Sequence, residues 1–128
     1  MIEKTVSEYK EVIATCKTLF EKKTRDYGTA WRILRLPSIT DQIFIKAQRI
    51  RSIQEKGSQK VSDPIRDEFI GIINYCIIAL MQIAFGKSGE MEVKFEQLEP
   101  AYDKIATETF DLLEKKNHDY GEAWREMR

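Results

Sequence analysis

The chain has 128 residues, in which 21 Lys and Arg balance 21 Asp and Glu. Zero net charge excludes binding to a nucleic-acid backbone through bulk charge, and a composition of 42% apolar and 33% charged residues excludes a disordered chain. Three prolines and six glycines are sparse punctuation, which suits a few long helices better than many short strands.

The first predicted helix covers about Ser7 to Arg25, because Val12, Cys16, Leu19 and Phe20 recur at helical steps on one side. Asp26-Tyr27-Gly28 reads as its end, with glycine supplying the left-handed turn. Trp31 to Leu36 is predicted to add a short helical turn that Pro37 stops. A second helix is expected from Ser38 as N-cap, with Asp41 three residues on, to Gly57-Ser58-Gln59. Its seam is Ile39, Ile43, Ala47, Ile50 and Ile53. The third helix opens at Asp63-Pro64 and closes at Gly86, and a polar loop with Gly89 follows. The fourth is placed from about Pro100 to Asn117. The result is an all-α fold, a four-to-five-helix bundle.

Phe69 to Phe85 carries no charge, and a stretch of this length meets the usual test for a bilayer span. It also suits the centre of a bundle whose other helices are amphipathic, and we expect that role and no membrane. The start, MIEKTVSEYK, is too polar for a signal peptide, so a cytoplasmic location is expected. Cys16 and Cys76 have no CxxC spacing and are expected as reduced thiols packed in the core.

The most specific feature is internal. Leu19 to Arg35, LFEKKTRDYGTAWRILR, returns as LLEKKNHDYGEAWREMR from Leu112 to Arg128, with eleven of seventeen positions identical at an offset of 93 residues. Tyr9 and Tyr102 share the same offset. Residues 1–93 are therefore expected to form one repeat unit and 94–128 the start of a second, within a protein of roughly 186 residues (twice the offset). A lone first helix cannot bury its apolar face, so the fourth helix is expected to pack on the first unit or on another chain, with a homo-oligomer or helix-swapped dimer as the expected state.

Two constellations carry candidate chemistry. Lys22, Asp26, Tyr27, Gly28, Trp31, Arg32 and Arg35 recur as Lys115, Asp119, Tyr120, Gly121, Trp124, Arg125 and Arg128. They bring cations and aromatics to a helix end, where cations hold phosphate oxygens and rings stack a base. The same residues also read as a helix-ending turn, a core anchor and surface ion pairs. His118 stands where the first copy has Arg25, which makes it a surface residue and leaves no histidine for a catalytic triad or a zinc site. In the second constellation, Lys46 and Arg49 face Asp63, Asp67 and Glu68. Acidic residues in a first helical turn complement the helix dipole, and the i, i+4 step from Asp63 to Asp67 also stacks carboxylates that suit Mg²⁺. Gly71, one turn further, marks either close packing or a lost side chain.

The segments KKTRDYGTAWRILR, SITDQIFIKAQRIRSIQ, DPIRDEFIGIINYCIIAL and KNHDYGEAWREMR together resemble the bacterial nucleotide modification associated domain 1 family, of its tandem-repeat type. The resemblance implies a link to modified nucleotides. A more distant similarity to MazG-type all-α nucleoside triphosphate pyrophosphohydrolases implies Mg²⁺ held by ExxE and ExxD pairs. In this sequence Glu68-Phe69-Ile70-Gly71 stands where ExxD would, with Gly71 in place of the aspartate, and the second helix has no ExxE. The expectation is a nucleotide or nucleotide-like phosphate ligand bound by Lys22, Asp26, Tyr27, Trp31, Arg32, Lys46 and Arg49, with Asp67 and Glu68 as the candidate metal pair. Hydrolysis is expected only of a full two-repeat protein with a complete acidic set, and the alternative is a non-catalytic helical interaction module that assembles through its repeats.

Overall fold

A computed structural model of the chain describes residues 3–57, 64–86 and 95–127. The described residues form four α-helices: α1 (Glu3–Tyr27), α2 (Leu36–Lys56), α3 (Pro64–Phe85) and α4 (Phe95–Tyr120). Short 3-10 turns follow α1 at Ala30–Ile33 and α4 at Ala123–Glu126. The expected all-α bundle is what the chain forms.

α2 and α3 make the most extensive helix pair. α1 and α4 run antiparallel, since the start of α1 meets the turn just after α4 through Thr5 and Glu122, and Lys17 further along α1 meets Asp103 of α4 at 2.9 Å. The core lies between the two pairs and is built from Phe20, Ile39, Ile77, Met81, Leu98 and Tyr102, with Ile78 and Ile105 completing it. α4 packs on α1 and α3 of the same chain. Tyr102 is fully buried, and its hydroxyl donates to Asn74 Oδ1 at 2.8 Å while the Asn74 amide donates to the Cys16 carbonyl at 3.0 Å. This relay gives the inner face of α3 a polar registration point between α4 and α1.

Several boundaries differ from the sequence expectation. Pro37 does not stop the turn before it but lies in the first turn of α2, where backbone N–H groups lack helical partners anyway and proline forfeits little. Arg35 takes the N-cap position without a side-chain cap bond, so Ser38 is inside the helix. α4 begins five residues before Pro100 and carries that proline inside it. Buried Leu98 and Tyr102 on either side hold the helix together across the lost hydrogen bond. Gly57 and Gly86 close α2 and α3 with positive φ, as expected. Asp63 and Gly89 lie outside the described residues. Cys16 is buried but Cys76 is exposed, because α3 is apolar all round while only one of its faces meets the core.

Candidate functional site

The end of α1, the turn after it and the middle of α3 enclose a cleft of about 200 Å³. α1 contributes Lys23, Thr24 and Tyr27; Gly28, with φ of 66°, turns the chain so that Trp31 forms the far wall. α3 contributes Gly71, Asn74 and Tyr75, and α2 contributes Lys46 alone. Trp31 is anchored on Phe20 with ring centroids 6.4 Å apart, and its indole Nε1–H is buried without a hydrogen-bond partner. Tyr27 stands 76% exposed at the mouth.

Gly71 explains how Lys46 reaches this cleft from α2. A Cβ at position 71 would lie 2.8 Å from Lys46 Cε and 3.0 Å from its Nζ, so any larger residue occupies the path of the lysine stem. Of the two readings of this glycine, close packing is the one the structure carries. The Lys46 ammonium ends 3.5 Å from Glu68 Oε2 and 5.9 Å from the centre of the Tyr75 ring. Lys23 and Lys46 are the charged residues of the cleft wall, and no carboxylate lines it among the described residues.

The predicted site residues divide. Tyr27, Trp31 and Lys46 meet in the cleft. Lys22 points one helical step away, into a shallow depression beside Arg66 and Asp67. Asp26 is exposed at the end of α1. Arg32 leaves the cleft in the other direction: it bonds Gln82 and lies over the Phe85 ring at 5.5 Å. Gln82 in turn donates to the carbonyls of Trp31, Arg32 and Leu34 at 3.0–3.1 Å and fixes the turn against α3. Arg49 extends into solvent and reaches Glu68 at 3.6 Å. Lys23, Asn74 and Tyr75 were absent from the sequence-derived set. A helical wheel anchored on buried Phe20 and Thr24 separates Lys23 from Lys22, and the Asn-Tyr pair within the uncharged stretch of the third helix was the signal for the other two.

Asp67 and Glu68 do not converge. Glu68 turns to α2 and is held by Lys46 and Arg49, whereas Asp67 faces α1 across the depression with Lys22. Among the described residues no three acidic, histidine or cysteine side chains assemble into a metal-holding group. A carboxylate compensated by two cations has its charge already spent, so these residues do not fit a Mg²⁺ site by themselves. His118 is on the surface, 3.3 Å from Asp119.

The second copy of the motif repeats the backbone and not the surroundings. Gly121 has the same φ of 66° as Gly28, and Tyr120 is as exposed as Tyr27. Trp124, however, is 44% exposed, and Arg125 folds back over its ring at 4.5 Å to bond Thr5, Glu8 and Glu122. Trp31 and Trp124 face different cavities.

Compared with known proteins, residues 23–83 match the family model described as nucleotide modification associated domain 1, the family whose motifs the sequence resembles. The matched span contains every residue of the cleft wall except Leu19 and Phe20. No curated protein and no solved structure matches the chain.

Proposed function

We propose that the cleft between Tyr27, Trp31, Lys46 and Tyr75 binds a nucleotide or nucleotide-like phosphate ligand. The observation that carries this reading is the passage of Lys46 over Gly71, which delivers a half-buried ammonium to an aromatic wall free of carboxylates. A cation in that setting attracts an anion, and exchange of the long Glu68 contact for a phosphate oxygen keeps the lysine paired. Lys23 adds a second positive charge at the rim. Tyr27 and Trp31 offer ring faces to a base, and Asn74 adds an amide whose two functions already serve Tyr102 and Cys16. At about 200 Å³ the enclosed part is below the usual range for whole ligands and takes one end of a nucleotide, with the remainder outside against Tyr27.

The family match over the cleft supports the nucleotide class. Binding and not hydrolysis is the role we assign to this chain, because Glu68 is compensated by lysine and arginine and Asp67 faces elsewhere. The relation to MazG-type enzymes enters this reading only as the nucleotide class they share.

The test is a thermal-shift series with nucleoside mono-, di- and triphosphates, each with and without Mg²⁺. A ligand at 100 times its Kd adds about 2.7 kcal/mol to stability, which moves the transition of a domain of this size by several degrees. Lys46→Ala is expected to abolish the shift while the chain stays folded. A flat response to every nucleotide at millimolar concentration would overturn the reading in favour of the interaction module.

A further inference from the structure

A second cavity of about 600 Å³ lies on the opposite side of the molecule and is almost entirely apolar. Tyr9 and Val12 of α1, Ile72 and Leu80 of α3, and Leu113 and Trp124 from the second copy of the motif form its walls. The first copy shows what such a surface receives. There Phe20 and Trp31 pack on the inner face of α3, whereas Leu113 and Trp124, at the equivalent positions of the 93-residue offset, line this open cavity, with Trp124 44% exposed.

The outer face of α3 supplies a matching shape. Phe69, Ile72, Cys76, Leu80 and Ile83 follow one another at steps of three, four, four and three residues, one continuous stripe along the helix. Phe69, Cys76, Leu80 and Ile83 are exposed, and Ile72 is partly so. The spacing reads the same in both directions, with Cys76 at its centre. Two such stripes laid antiparallel place Phe69 opposite Ile83, Ile72 opposite Leu80, and Cys76 opposite its own copy, which is the self-complementarity that a twofold interface requires.

From this we infer that the groove is the seat of α3 from a second copy of the chain, in a twofold dimer whose axis passes beside Cys76. Docking covers Trp124 and the exposed stripe together. The acidic group at the rim, Glu8, is already paired with Arg125 at 2.9 Å, so no unpaired carboxylate is buried there. α3 is also long and apolar enough by composition to cross a membrane. The surface that includes it is a hollow between helices, a shape that a second helix fills.

The test is sedimentation of the untagged chain at micromolar to 100 micromolar concentration, followed by treatment with a short bismaleimide. The expected mass is twice the 15.0 kDa of one chain, and the expected cross-link forms in high yield through Cys76, since Cys16 is buried. Cys76→Ser is expected to keep the dimer and lose the cross-link. Leu80→Glu is expected to weaken association at least tenfold with the helical circular dichroism unchanged. A single-chain mass at 100 micromolar overturns the inference. So does a dimer that Cys76 fails to cross-link, or a chain that sediments with added phosphatidylcholine vesicles in place of dimerising.

Discussion

The two copies of the Asp-Tyr-Gly…Ala-Trp-Arg motif share sequence and backbone but not their place in the molecule. Both end a long helix at a glycine with φ of 66°, both continue into a 3-10 turn, and both leave the tyrosine in water. Yet Trp31 packs against the core beside a cleft that holds two lysines, while Trp124 edges an open apolar groove. Local conformation follows the local residues; burial and chemistry follow whichever helix arrives from elsewhere in the chain. The same segment therefore walls a small cleft in one setting and an open apolar groove in the other.

The sharpest way to break this comparison is to truncate both tryptophans. Trp31→Ala is expected to cost about 3 kcal/mol in urea unfolding, in the range for losing a packed aromatic side chain. Trp124→Ala, measured at concentrations where the chain is monomeric, is expected to cost under about 1 kcal/mol because its ring is already wet. Equal costs would mean that the two copies are energetically alike.

Next in size is the tyrosine pair. Tyr102→Phe removes a buried hydroxyl bonded to Asn74 and leaves that carbonyl without its donor, an expected loss of about 1–2 kcal/mol. Tyr9→Phe removes the half-buried bond to the Ala106 carbonyl and is expected to cost less. Burial raises the pKa of Tyr102 above its ordinary value near 10, with nearby Cys16 adding to the effect. The unfolded chain then gives up this proton first, so stability is intact below about pH 10 and falls as pH rises beyond it. Tyr102→Phe is expected to flatten that alkaline fall, followed by chemical unfolding between pH 8 and 11.

Gly28→Ala and Gly121→Ala should cost the same, about 1 kcal/mol each, since a Cβ meets nothing within 4 Å at either position and only the left-handed backbone is penalised. A clear inequality between them would show that the local likeness is superficial. The smallest stability effect is expected at Gly71. Alanine there regains about 1 kcal/mol of helix propensity, which is offset by displacing the Lys46 stem and loosening its contact with Glu68. Its mark should be loss of nucleotide stabilisation in the thermal-shift series with little change in the apo transition.

The all-α helices and the glycine ends of α1, α2 and α3 were legible in the sequence because each rests on near neighbours. Pro37 was placed just outside the helix whose first turn it occupies, where proline costs little, and Pro100 was read as a helix start although buried Leu98 and Tyr102 hold α4 together across it. The cleft was half legible. Tyr27, Trp31 and Lys46 were found from charge and aromatic content, but Lys22 was chosen over Lys23, a difference of 100° around α1 that composition does not register. Asp67 and Glu68 were read together as neighbours in sequence, while the helix turns them toward different partners.

The Gln82 amide has one more consequence. By holding the carbonyls of Trp31, Arg32 and Leu34 at once, it ties the turn after α1 to a fixed chain length. One residue inserted between Arg32 and Leu34 breaks that grip and carries Trp31 away from the cleft. The same insertion after Arg125 leaves the bonds of Arg125 to Thr5, Glu8 and Glu122 standing. Tolerance to insertion thus differs between two segments that are otherwise nearly the same peptide, and the first has far less freedom to change its length.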